Sequence, residues 1–325
     1  MVKGQGGFIQ FLKIMEKVKI MERQKKIRLK GHESFMIRDG WLHKGIISVY
    51  KNPNVFAEYM GADALGVGSN MAKSIRYWLK ALGLTREISR KGTYLTELGK
   101  LILEKDCYIE DIFTIWLLHL QLVFHKEEAT VWYLFFNQTA AEEFSRDQIY
   151  HLLKQAMNSY AGEDTYSERS LESDCTVLLN MYVKERQIDY DPEEKSISPF
   201  SILGLIRMEQ KKYSKQQPEF DKLHPFIVLI NILMMNRENN RGQERPGISI
   251  DDLLRKINSP GKVLNLSRTA LNLYLDKLYA EEYLDVNRTA GLDMVYLKKE
   301  YPDILTIAEI YYNDKEEREK RFSEV

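Results

Sequence analysis

The stretch Gly31-His-Glu-Ser-Phe35, followed by Arg38, Asp39, His43 and Lys44, is dense in side chains that could do chemistry. Imidazoles and carboxylates around a divalent cation activate water, and a neighbouring Arg or Lys neutralises a phosphate. His32, Glu33 and Arg38 are therefore the catalytic candidates for a metal-dependent nickase. A zinc protease is excluded, because the next histidine after Glu33 is His43 and the His-Glu-x-x-His spacing is missing. The same residues also suit a structural network, with Glu33 paired to Arg38 and His32 capping a turn. Both assignments stand at this level. A divalent metal is implied if the cluster activates water, and no other cofactor is specified. Glu193-Glu-Lys195, with Asp189 or Asp174 upstream, matches the acid-x-Lys pattern of nucleases no better than chance in a chain rich in Lys and Glu. No phosphate-cradling Gly-x-x-x-x-Gly-Lys loop is present, and Gly66-Val-Gly68 lacks the third glycine of a dinucleotide site.

A second chemistry lies in Ser69–Leu82. At about 100° per residue, Met71, Ile75, Trp78, Leu79 and Leu82 share one apolar stripe, while Lys73, Arg76 and Lys80 occupy the opposite one. Asn70 and Tyr77 stand at its edge. Ser69 reads as the N-cap and Gly83 as the residue past the C-cap. Two alternating runs follow, Thr85–Ser89 and Thr93–Thr96, joined by Arg90-Lys91-Gly92. A helix, a hairpin and a short helix in that order predict a winged helix. A helix buried on one side and cationic on the other suits a duplex groove, and a cationic hairpin tip suits the phosphate backbone. Asn70, Lys73, Arg76, Tyr77, Lys80, Arg90 and Lys91 are thus the DNA-binding candidates. The alternative is a solvated basic face without a partner.

These elements sit in a chain of 325 residues, 44% hydrophobic and 11% aromatic, long enough for two or three packed domains. Its net charge is zero, so any polyanion-binding surface is local. The first thirty residues concentrate Lys and Arg against only Glu16 and Glu22. Cys107 and Cys175 are too few for a disulfide framework or a Cys-based zinc module, and they fit a reducing cytoplasm. The N-terminus lacks the unbroken apolar stretch of a signal peptide. Ile112–Phe124 and Phe226–Met235 are too short to span a bilayer and read as core helices, so no membrane association is expected.

The expected fold is mainly α, with two winged-helix-like domains carrying short β wings on either side of a helical middle region. Residues 1–30 form a basic extension, 31–104 the first winged-helix-like domain, 105–215 the helical domain, 216–300 the second winged-helix-like domain and 301–325 a charged tail. In the middle, Ser145-Arg-Asp-Gln148 has the form of a capping box. The run Trp132, Tyr133, Phe135 and Phe136 reads as core, because no cations interleave it. His119 and His125 read as core or helix-end residues. The second wing is expected at Arg288-Thr-Ala-Gly291, between Tyr283–Val286 and Met294–Leu297. The outward face of its preceding helix, Asn272, Leu273, Asp276 and Lys277, is not basic and suits protein rather than DNA.

Three groups of motifs recur together: Gly31-His-Glu-Ser-Phe35 with Arg38 and Trp41-Leu42, Leu65–Met71 with Ser74-Ile-Arg-Tyr-Trp78, and Thr114–His119 with Trp132–Asn137. In them the chain resembles domain-of-unknown-function family 4007 from about Gly31 to Leu297. That resemblance implies a component of bacterial DNA phosphorothioation and phage defence, like the B component of Ssp-type systems, which nicks DNA. It also implies double-stranded DNA and the sulfur-transfer proteins encoded alongside as partners. It supplies no residue-level mechanism.

Overall fold

In a computed structural model, residues 26–57, 61–183, 197–239, 247–289, 293–298 and 303–323 are described. Most of the basic extension and the Asp189–Lys195 stretch fall outside these residues. With 58% helix and 11% strand, the chain is mainly α with small sheets. No helix among the described residues is long and apolar enough to cross a membrane.

The first unit runs through α1 (Trp41–Lys51), α2 (Ala62–Leu65), α3 (Ser69–Ala81), the antiparallel pair β1 (Thr85–Ile88) and β2 (Gly92–Leu95), and α4 (Glu97–Lys105). The apolar stripe of α3 is inward as its spacing predicts, with Ile75, Trp78, Leu79 and Leu82 fully buried. Gly68, not Ser69, is the N-cap, so Ser69 is already helical. Gly83 takes φ 68° beyond the last turn, where Leu84 N–H reaches back to Leu79 O at 2.9 Å and closes the helix end. In the hairpin, Thr93 N–H donates to Pro53 O at 2.8 Å. A Cβ on the preceding Gly92 would stand 2.5 Å from that same carbonyl, so only glycine permits the approach.

The middle of the chain contains α5 (Ile112–Phe124), α6 (Thr130–Gln138), β3 (Glu143–Phe144), α7 (Arg146–Ala161), α8 (Glu168–Tyr182), β4 (Ile206–Glu209) and β5 (Lys212–Lys215). Both bonds of the Ser145–Gln148 capping box are formed. Trp132, Phe135 and Phe136 are fully buried, as a core assignment requires. His119 is enclosed too, with Nδ1 2.8 Å from the Tyr182 hydroxyl and Nε2 2.7 Å from Val263 O, and burial lowers its pKa to about 4. This region is not purely helical, which corrects the sequence-based expectation. Its three strands form one sheet in the order β3-β5-β4. Two-residue β3 is too short to show alternation, and it becomes a strand only by pairing Glu143 with Ser214 and Phe144 with Tyr213.

The last unit contains α9 (Pro225–Asn239), β6 (Ile248–Ser249), α10 (Ile250–Arg255), α11 (Pro260–Val263), α12 (Arg268–Ala280), β7 (Leu284–Asn287) and β8 (Met294–Leu297). Its sheet has the order β6-β8-β7. The expected charged tail is instead a docked helix, α13 (Ile304–Ser323), because Ile307, Ala308 and Tyr312 make a buried stripe along it. The Tyr311 ring stacks 3.7 Å from that of Phe113. Tyr311 OH and Lys315 Nζ both donate to the buried Asp111 carboxylate, at 3.1 and 2.8 Å, and fix α13 against the start of α5.

Candidate nucleic-acid interface

The polar side of α3 divides into an open part and a closed part. Asn70 is exposed, and its side-chain oxygen accepts from Lys73 Nζ at 3.4 Å. Arg76 is half-buried. Its Nε donates to Glu87 Oε1 on β1 at 2.9 Å, and its guanidinium lies 5.8 Å from the centre of the Phe56 ring. Arg90 and Lys91 are exposed at the hairpin tip, where Arg90 adopts φ 62°. Lys73, Arg76, Arg90 and Lys91, with the neutral Asn70 beside them, lie on the open part of this surface.

Tyr77 and Lys80 are turned toward the α5–α6 junction. Tyr77 is buried against His32 and Trp78, its hydroxyl donates to Glu128 O at 2.8 Å, and burial drives its pKa well above the usual tyrosine value. It is therefore inside the fold and out of reach of a duplex, which corrects its place among the DNA-binding candidates. Helical phase put Tyr77 at an edge; packing of a second helical layer covered that edge. Lys80 Nζ lies 2.8 Å from Glu128 Oε1, and Lys26 Nζ lies 3.0 Å from the same oxygen. Burial works against the charge on Glu128, but hydrogen bonds from Lys80 and Lys26 and their attraction outweigh it and hold the carboxyl below its ordinary value.

The His32 cluster is not gathered around a common point. His32 is fully buried, stacked 5.6 Å from Trp78 and edge-on to Trp132. Ser34 N–H donates to its Nδ1 at 3.1 Å, so the ring proton resides on Nε2, which donates to Asp174 Oδ1 at 2.9 Å. Both nitrogens are engaged, and neither lone pair is open to a metal or a water. Asp174 also accepts from Lys30 N–H at 2.9 Å, and burial raises its pKa despite these bonds. Glu33 sits at φ 49° beside this turn. Arg38 does not pair with it, contrary to one part of the structural alternative, whereas the Ser34 N–H bond to His32 Nδ1 is the turn cap that the other part expected. The Arg38 guanidinium instead lies 5.6 Å from the centre of the Phe35 ring and 5.4 Å from that of Trp41. His43 Nδ1 bonds Cys107 O at 2.8 Å, and its ring stacks on Tyr108, outside this turn. Among the described residues, no group of three or more His, Cys, Asp or Glu side chains is arranged to hold a metal ion. Asp174, Glu87 and Glu128, the partners that decide these geometries, carry no local sequence signal.

Residues 29–312 match the family described as "Protein of unknown function (DUF4007)". The chain belongs to that family. Its fold is similar to a magnesium-ion-bound SspB crystal structure, with TM-score 0.75 and 22% identity, covering 92% of this chain and 97% of that one. A second SspB crystal structure superposes with TM-score 0.74 and 23% identity over the same shares of the two chains. No curated protein matches the chain.

Proposed function

We propose that this DUF4007 chain is the DNA-binding component of a bacterial DNA phosphorothioation and phage-defence system. Agreement of nearly the whole chain with the SspB fold carries the assignment to such a system. Residues 31–104 and 216–300 serve as winged-helix units. The first presents Asn70, Lys73, Arg90 and Lys91 to double-stranded DNA, because these polar groups lie on the accessible side of α3 and its hairpin. Arg76 and Lys80 join them when phosphate oxygens replace Glu87 and Glu128 as their acceptors. Sulfur-transfer proteins meet the last unit, where Leu273 is 49% exposed on α12 and Lys277 lies over the exposed Phe220 ring.

Replacing Lys73, Arg76 and Lys80 together by Ala is expected to weaken duplex binding and to flatten its salt dependence. The log–log slope falls by roughly 0.9 for each phosphate that is no longer neutralised. Fluorescence anisotropy over a salt series measures both quantities. An affinity and slope equal to the parent's would remove α3 from the interface.

A second reading, metal-dependent strand nicking within the same system, draws on the magnesium ion in one of the same-fold crystal structures. The enclosure of His32 argues against His32, Glu33 and Arg38 as its centre. Supercoiled plasmid incubated with the chain and magnesium, alone and with its operon partners, is expected to relax if the reading holds. Persistently supercoiled plasmid rules it out.

A further inference from the structure

The sheets β3-β5-β4 and β6-β8-β7 share more than their strand order. Each begins with a two-residue strand that runs directly into a Ser-capped helix, Ser145 before α7 and Ser249 before α10. In each, another Ser-capped helix, with Ser167 or Ser267, precedes the hairpin. The segment α6–β5 is thus built like the last unit, and β4–β5 stands where that unit carries its β7–β8 hairpin.

The two hairpins differ in their free charge. In the last unit, Arg288 is tied to Asp276 at 2.7 Å and Asp285 stands on the adjoining strand. The β4–β5 hairpin carries Arg207, Lys211 and Lys212, all exposed, against Glu209 alone, which pairs with Arg207. Among the described residues, no carboxylate pairs with Lys211 or Lys212. Register places Arg207 opposite Ser214 and Glu209 opposite Lys212, so one face of the hairpin is polar throughout. Such a face lacks the apolar centre of a protein interface and suits phosphates.

The base of the hairpin is anchored to the end of α6. Lys215 at its base turns inward and donates to Thr139 O at 2.7 Å at the end of α6, and burial lowers its pKa to about 8. Its tip, Gln210-Lys211, has φ 49° and 65°, a two-residue turn that ordinarily takes Asn-Gly. A lysine is therefore kept at the apex in a backbone conformation that favours glycine.

We propose that the β4–β5 hairpin is a second DNA-contacting element, in which Arg207, Lys211 and Lys212 engage phosphates of duplex DNA. It rests on the DNA-binding function proposed above and extends it to a region with no basic helix.

The test is duplex binding over a salt series by the parent chain, by R207A/K211A/K212A and by Q210N/K211G. The triple variant is expected to bind more weakly, with a log–log salt slope shallower by about two to three. The double variant installs the preferred turn and removes one cation. It should melt at or above the parent's temperature, yet bind less tightly with a slope shallower by about one. If the parent binds duplex and both variants match its affinity and slope, the hairpin is not a contact, and the α3 interface is untouched. If the parent binds no duplex at all, the DNA-binding function fails and this element fails with it.

Discussion

Trp78→Ala is expected to destabilise the fold by roughly 3–5 kcal/mol, the cost of emptying a large buried aromatic site. Trp78 is fully buried, its Nε1–H donates to Phe35 O at 3.1 Å, and it contacts the rings of His32, Tyr77 and Trp132. The substitution therefore strikes the first unit, the turn before it and α6 together. Trp78→Phe keeps most of the apolar volume and should recover much of the loss. Urea unfolding followed by circular dichroism measures both variants. A midpoint for Trp78→Ala equal to the parent's would contradict the packing of α3.

His32→Ala is expected to cost a comparable amount, about 3–5 kcal/mol at neutral pH. It removes a buried ring stack and takes from Asp174 one of its donors, while the Lys30 N–H bond stays in place. The pH dependence has a defined sign. Burial raises the folded-state pKa of Asp174 above its unfolded value, so protonation favours the folded chain. The stability linked to that proton is fully present below the unfolded pKa and is lost as pH rises through the folded one. Without His32, which lowers the Asp174 pKa in the parent, this loss deepens. The destabilisation should therefore be larger at neutral pH than in acid, and Asp174→Asn in the His32→Ala background should recover part of it. Equal destabilisation of His32→Ala at both pH values would show that Asp174 does not carry the effect.

Local order was legible wherever a signal is contained within a few residues. The stripe of α3, the Ser145–Gln148 box and the first hairpin all follow from helical period, side-chain-to-backbone bonds and turn chemistry. These interactions span one or two turns, so their sequence spacing is their geometry. The family resemblance was legible because its motifs sit largely in such elements.

Tertiary structure decided which polar groups remain available. His32 finds Asp174 across the chain and closes its imidazole to chemistry, whereas sequence proximity grouped it with Glu33 and Arg38. By helical phase alone, Lys80 shared the outward side of α3 with Lys73, and Tyr77 stood at its edge. The α5–α6 junction then buried Tyr77 and gave Lys80 an ion pair with Glu128, while Lys73 was left without either among the described residues. Glu143–Phe144 became a strand by meeting β5 far along the chain, and Asp111 docked α13 where charge alone suggested a tail. Periodicity records which side of an element is apolar. Which of its charges meet a buried carboxylate depends on partners distant in sequence, and no local spacing encodes them.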